Sequence, residues 1–196
     1  NIPVSIDSRH SFVMDKALDA GAHIINDVSA LTYDPESVKV AAACDAPVIL
    51  MHAQGTPQTM QDKPEYDHIL LDVYDYLEER IEECVKAGIS KDRIILDPGI
   101  GFGKRVLQDN LSLINNIALF HSLGCPLMLG ASRKRFIEAV TKTSDAKDRM
   151  PGSITAAILA MQQGVQIYRV HDVKETVQAA RMMQGFIDAG LMDIRA

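Results

Sequence analysis

The stretch RIILDPGIGFGKRVLQDN, residues 93–110, carries an apolar run into Asp97, then Pro98 and a loop with glycines at 99, 101 and 103 before Lys104. A buried strand that ends on a carboxylate and opens into such a loop reads as a ligand site at a strand's carboxyl end. The plainer alternative is a turn in which Asp97 caps the loop. The glycines give the backbone freedom and allow close approach. Their spacing is GxGxG rather than the dinucleotide fingerprint, and no Ser or Thr follows Lys104, so a nucleotide-phosphate loop is excluded too. Phe102 is unusual inside a plain turn. Its ring either covers a flat ligand or packs beneath the loop.

Outward from this stretch, strands and helices alternate. Strands are predicted at 3–7, 22–27, 47–51, 94–97, 126–130 and 165–170. Helices are predicted at 11–20, 34–44, 67–87, 110–121, 132–140, 152–163 and 173–189. The helix over 67–87 places Ile69, Val73, Tyr76, Leu77, Ile81 and Val85 at three- and four-residue steps, as one apolar face requires. The segment 52–66 is a polar loop, and 188–196 reads as a polar tail. Pro35 suits the first turn of a helix capped by Asp34. The strands are short continuous apolar runs, the form of parallel strands covered on both faces. This alternation gives an α/β parallel sheet, either doubly wound or closed as a (β/α)8 barrel.

Polar groups decide between the two. They stand where all the strands end: Asp7, Asn26-Asp27, His52, Asp97, Ser132-Arg133-Lys134 and Arg169-His171-Asp172. An open sheet collects function only at its switch point. In a TIM barrel every strand's carboxyl end faces one mouth. The expectation is a (β/α)8 TIM barrel of which about six C-terminal βα units are present, as one domain over 1–196. The chain begins inside a strand, so the remaining units are expected upstream of it.

Composition bounds the function. Apolar residues are 47% and charged residues 23% of the 196, the balance of a globular domain with a sizeable core. The formal charge of -6 argues against nucleic acid or anionic membrane as the main partner. There is no long uncharged apolar run and no signal-peptide pattern. Cys44, Cys84 and Cys125 are odd in number and far apart, which fits reduced thiols in a cytoplasmic protein rather than a disulfide framework or zinc site. No HxH, HExxH or GxSxG pattern occurs, against a zinc enzyme or an α/β-type serine hydrolase.

The mouth residues suggest a ligand. Asp7, Asn26 and Asp97 would point acceptors into one space, and a flat heterocycle rich in N–H groups would satisfy them. The alternative is that the two acids only cap turns. Lys134, Arg169 and His171 bring donors and positive charge after the last two strands, where barrels commonly hold phosphate. The start of a helix near Ser132 would add amides. Ordinary surface ion pairing is the competing account, weakened by the apolar contexts LMLGASRK and IYRVHD. His52 and His171 end strands. His10, His23, His68 and His121 read as surface or internally bonded residues.

Six stretches in order resemble dihydropteroate synthases: VSIDS (4–8), GAHIINDVSAL (21–31), VILMHAQGTPQTMQ (48–61), LDPGIGFGK (96–104), LGASRKRFI (129–137) and RVHDVKETVQA (169–179). The resemblance covers essentially the whole chain. It implies a TIM barrel that condenses 6-hydroxymethyl-7,8-dihydropterin diphosphate with 4-aminobenzoate in folate biosynthesis, by a dissociative displacement. It implies that Asp7, Asn26, Met51, Asp97 and Lys134 bind the pterin, and that Arg169 and His171 bind the diphosphate. Phe102, Lys134 and Arg135 would border the aminobenzoate, where sulfonamides compete. Asp97, Lys134, Arg169 and His171 would carry the chemistry. Mg2+ is implied as cofactor, with its ligand in a family loop absent from this chain, and a homodimer through outer helices is implied as well. Departures from the family pattern are the missing first two strand loops, Ala53 where Met is common, and Arg135 where some members have Ser. Two alternatives accompany the resemblance. One is a methyltransferase passing methyl from a reduced folate to a corrinoid protein, which has no use for a diphosphate site. The other is a non-catalytic barrel fragment.

Overall fold

A computed structural model describes residues 2–55, 59–60 and 63–193, with side chains to residue 190. The strands β1 (Ser5–Asp7), β2 (Ile24–Asp27), β3 (Val48–Met51) and β4 (Ile94–Asp97) form one parallel sheet in chain order. The strands β5 (Met128–Leu129) and β6 (Ile167–Tyr168) form a parallel pair. A parallel bridge between Leu96 and Leu127 joins the two groups, and the Leu96 amide donates to the Pro126 carbonyl at 2.9 Å. Neighbours therefore run from first to sixth without reversal. A doubly wound sheet would reverse at its switch point. An arc without reversal is that of a (β/α)8 barrel. Among the described residues, β1 and β6 each pair on one side only.

The helices α1 (Ser11–Asp19), α2 (Ser37–Ala42), α3 (Ile69–Lys86), α4 (Gln108–Asn115), α5 (Arg135–Thr141), α6 (Met150–Gln162) and α7 (Val173–Asp193) follow the strands. The main core lies between them and the sheet. There Ile25, Val48, Leu50, Ile94, Leu96, Leu127 and Leu129 meet Val73, Leu77, Ile81, Leu113 and Ala160. A separate small cluster of Ile49, Ile95 and Met128, flanked by Ile24 and Ile167, occupies the concave side. From β2 to β6 the two clusters alternate residue by residue along the strand, which is the period-2 rule.

Several boundaries differ from expectation. α2 starts at Ser37 because the Asp34 carboxylate first takes the amides of Ser11 at 2.8 Å and Glu36 at 3.0 Å, making a turn instead of a helix cap. α5 starts at Arg135 rather than Ser132, because Arg133 is left-handed at φ 59 and Lys134 is extended at ψ 161. A 3-10 coil over Ile117–Leu123 replaces the second half of the expected helix at 110–121 and closes on Gly124 at φ 74. On α3 Val85 is 45% exposed, and Cys84 takes the buried position. α7 extends to Asp193, so most of the expected tail is helical; residues 194–196 lie outside the described residues. So do 56–58 and 61–62 of the polar loop and of the stretch 48–61.

Candidate active site

Strand parity builds the site. The register pairs Asp7 with Asn26, Asn26 with Ile49, Ile49 with Ile95 and Met51 with Asp97. All six of these residues face the concave side. Toward the amino ends the concave side holds the apolar plug of Ile24, Ile49, Ile95, Met128 and Ile167. The last concave-facing residues of β1 to β4 at their carboxyl ends are Asp7, Asn26, Met51 and Asp97. Arg169 joins them, two residues beyond Ile167. On β5 the matching position is Gly130. A Cβ there would lie 3.6 Å from Asp97 Oδ2 and 4.0 Å from Arg169 Cβ, so its absence leaves open space between an acid and a base.

Asp97 is buried and accepts the Gly99 amide through Oδ1 at 2.8 Å. The capping role is thus real, and it uses only one oxygen. Burial pushes the carboxyl above its usual range, against the pull of Lys134, the Gly99 amide, Lys104 and Arg169. The ion pairs of the described residues do not include Asp97. A buried acid without a salt bridge is primed for a ligand bearing N–H donors. Lys134 is half-buried with its amine inward, donating to the Ile100 carbonyl and lying 4.5 Å from the Phe102 ring centroid. Burial lowers its pKa to about 8, with Asp97 opposing that shift and Arg169 adding to it.

At the rim Arg169 donates from Nη2 to Asp7 Oδ2 at 3.0 Å. His171 is anchored by Ser132, whose Oγ lies 3.0 Å from the ring Nδ1 and accepts the His171 amide at 3.3 Å. Arg133 is taken by Asp172 through two contacts. Phe102, Lys134 and Arg135 line one cavity of 180 Å³ together with Gly101, Lys104 and Asn110. The helix amides expected near Ser132 do not contribute, since α5 begins three residues later and is short.

His52 departs from expectation. It is the residue after Met51, so parity turns it outward, beneath the glycine loop. There it meets Tyr76 edge-on at 4.8 Å, and its Nδ1 lies 2.8 Å from the Lys104 amine. Burial, then the charge of Lys104, lowers its pKa to about 3. Lys104 is 1% exposed, and burial lowers its pKa to about 7. The sequence reading missed this pair. The available signal was the parity of His52 and a lysine that follows a loop too tight to let it turn outward.

The residues at the mouth do not match the implied metal. Among the described residues no three His, Cys, Asp or Glu side chains gather to hold one. Asp7 is engaged by Arg169 and Asp97 by a backbone amide. These residues by themselves do not form a Mg2+ cradle.

A family model described as "Pterin binding enzyme" matches residues 1–171. The dihydropteroate synthase of Escherichia coli (strain K12) is 42% identical over 186 residues, covering 95% of this chain and 65% of that protein. The Yersinia pestis dihydropteroate synthase, solved with a sulfonamide drug complex, superposes with a TM-score of 0.92 at 39% identity, over 96% of this chain and 68% of that one. The Xanthomonas albilineans enzyme, solved with 4-aminobenzoic acid, gives a TM-score of 0.88 at 40% identity, over 94% and 65% of the two chains. The chain thus spans about 65% of the length of the curated relatives it matches. With the barrel arc, the ordered stretches and a match across most of its length, the chain belongs to the pterin-binding enzyme family.

Proposed function

We propose that this chain carries the pterin and diphosphate side of a dihydropteroate synthase, condensing 6-hydroxymethyl-7,8-dihydropterin diphosphate with 4-aminobenzoate. One observation supports this most: acceptors Asp7, Asn26 and Asp97 stand at the inward carboxyl ends of their strands, with the charges of Lys134 and Arg169 acting on Asp97 and Arg169 bonded to Asp7, beyond an apolar plug. A pterin edge offers N–H donors to Asp97 and Asn26 and an oxygen to Lys134, with Met51 packing beside the ring. In the reaction the bond from the exocyclic methylene carbon to diphosphate oxygen breaks, and both electrons leave with the diphosphate. The arylamine nitrogen then bonds to that carbon and releases a proton to solvent. The residues act by electrostatics on charge that develops during the step. Asp7 and Asp97 favour the cationic ring. Arg169 and His171 favour the departing diphosphate, with Arg169 offering a planar fork. Phe102, Lys134 and Arg135 border the arylamine.

The relatives solved with 4-aminobenzoic acid and with a sulfonamide drug support the small-molecule partners. The expectation of Mg2+ rests on the family resemblance alone. A single domain, a homodimer and a cytoplasmic setting complete the proposal. Three free cysteines suit a reducing compartment, and exposed apolar residues on the outer helices, such as Leu159, Met182 and Phe186, suit a dimer face. The methyltransferase alternative leaves Arg169 and His171 without a task. The test is incubation with both substrates and Mg2+, followed by detection of 7,8-dihydropteroate and diphosphate in equal amounts. Binding of pterin diphosphate without turnover would restrict the function to the substrate-holding half. No binding by the folded chain would refute the proposal.

A further inference from the structure

We infer, on the arylamine reading of the cavity above, that Lys104 is a positioning residue: from beneath the glycine loop it ties the Phe102 carbonyl to the end of β3 and so sets where the Phe102 ring stands. Its amine donates to the Phe102 carbonyl at 3.0 Å and more weakly to the His52 carbonyl at 3.5 Å, and it lies 2.8 Å from His52 Nδ1. An ammonium has three donors, and here are three acceptors. With the amine as an ammonium, His52 Nδ1 is the accepting, unprotonated ring nitrogen. No carboxylate forms an ion pair with this amine among the described residues. A buried cation held only by neutral groups is costly, and an apolar side chain would fill the same space with less desolvation. What the lysine adds is geometry.

The surroundings make that geometry specific. The loop lies directly on the segment after β3. A Cβ at Gly99 would come within 1.8 Å of the His52 carbonyl, and one at Gly103 within 2.2 Å of the Gln54 carbonyl. The Tyr66 hydroxyl donates to the Gly103 carbonyl. Phe102 donates its amide to Gly99 at 3.0 Å, and Gly101 donates to Asn110 Oδ1 at 2.6 Å. The loop is thereby fixed at its two ends and along its amides. Lys104 supplies the bond to the carbonyl of the residue whose ring forms the cavity wall. The charged and titratable groups around it are His52 after β3, Asp97 from β4, Asp109 from α4, Lys134 before α5 and Tyr66 before α3.

The test is steady-state kinetics of the purified protein and of Lys104→Met, Phe102→Ala and the double variant, with each substrate varied in turn. Lys104→Met is expected to raise the KM for 4-aminobenzoate about tenfold, as a displaced wall would, and to leave the KM for pterin diphosphate within about twofold. In the Phe102→Ala background the same change is expected to add nothing, because the lysine acts through that ring. Lys104→Gln, which keeps a donor for the Phe102 carbonyl, should recover part of the loss, and it serves if the methionine variant does not fold. Equal changes in both constants, or full additivity with Phe102→Ala, would overturn the inference while leaving the proposed function intact. A wild-type protein that turns over neither substrate would fail the function itself, and with it this role.

Discussion

Arg169 and Asp7, near opposite ends of the chain, are joined by a 3.0 Å contact from Nη2 to Oδ2. Their strands, β6 and β1, close the two ends of the arc and are not paired with each other. The ion pair thus spans the gap at the barrel's mouth. In the proposed reaction the two residues serve opposite charges, Arg169 the diphosphate and Asp7 the pterin ring. Ligand binding must therefore exchange their mutual contact for separate ones.

Both side chains are well exposed, at 60% and 45%. Such a pair contributes about 0–1 kcal/mol to stability. Arg169→Ala should leave the denaturation midpoint almost unchanged yet weaken pterin diphosphate binding at least about tenfold, since one charge-assisted fork is lost. Calorimetric titration at low and high salt checks this. A large loss of stability with unchanged affinity would contradict it.

Gly99 and Gly21 both have positive φ, 73 and 98. Only Gly99 has a neighbour where a Cβ would go; Gly21 has nothing within 4 Å. Gly21→Ala should cost about 1 kcal/mol from backbone strain alone. Gly99→Ala must also push the loop off β3, and should cost more than ~2 kcal/mol. Urea titration of the two variants compares them directly.

Lys104 has its pKa lowered by burial from 10.5 to about 7. Between those values the unfolded chain carries a proton that the folded one lacks, so stability rises with pH across that window. Below about pH 7 both states are protonated and the folded state bears the full desolvation cost. Wild-type protein should therefore gain stability relative to Lys104→Met between pH 7 and pH 10. Parallel pH profiles for the two would show that the amine is not buried as described.

On α3 the buried row is Ile69, Val73, Leu77, Ile81 and Cys84. Leu77→Ala should cost about 2–5 kcal/mol, whereas Val85→Ala should stay within about 0.5 kcal/mol. Thermal melts of both variants test whether the helix is rotated as the structure has it.

Much of this was legible in the residues. The alternation of apolar runs and helical periods required an α/β parallel sheet, and polar groups at every strand end pointed to a barrel mouth. Both follow from local rules, because strand and helix periods depend on near neighbours in the chain. The amino-terminal limits of α2 and α5 were misread where a distant or unusual contact intervened. Asp34 reaches Ser11, 23 residues away, and Arg133 adopts a left-handed turn that side-chain type does not announce.

The sequence by itself determined the element order, the barrel class and the identity of the polar residues at the strand ends. Tertiary structure alone decided which of them share a space. Register and parity made Asp7, Asn26, Met51 and Asp97 the last inward-facing residues of β1 to β4 and turned His52 outward. The tertiary structure also sealed Lys104 beneath the glycine loop and brought Arg169 across to Asp7. The reason is physical: a one-residue shift of a strand reverses which side chains face inward, and only pairing with its neighbours selects the register.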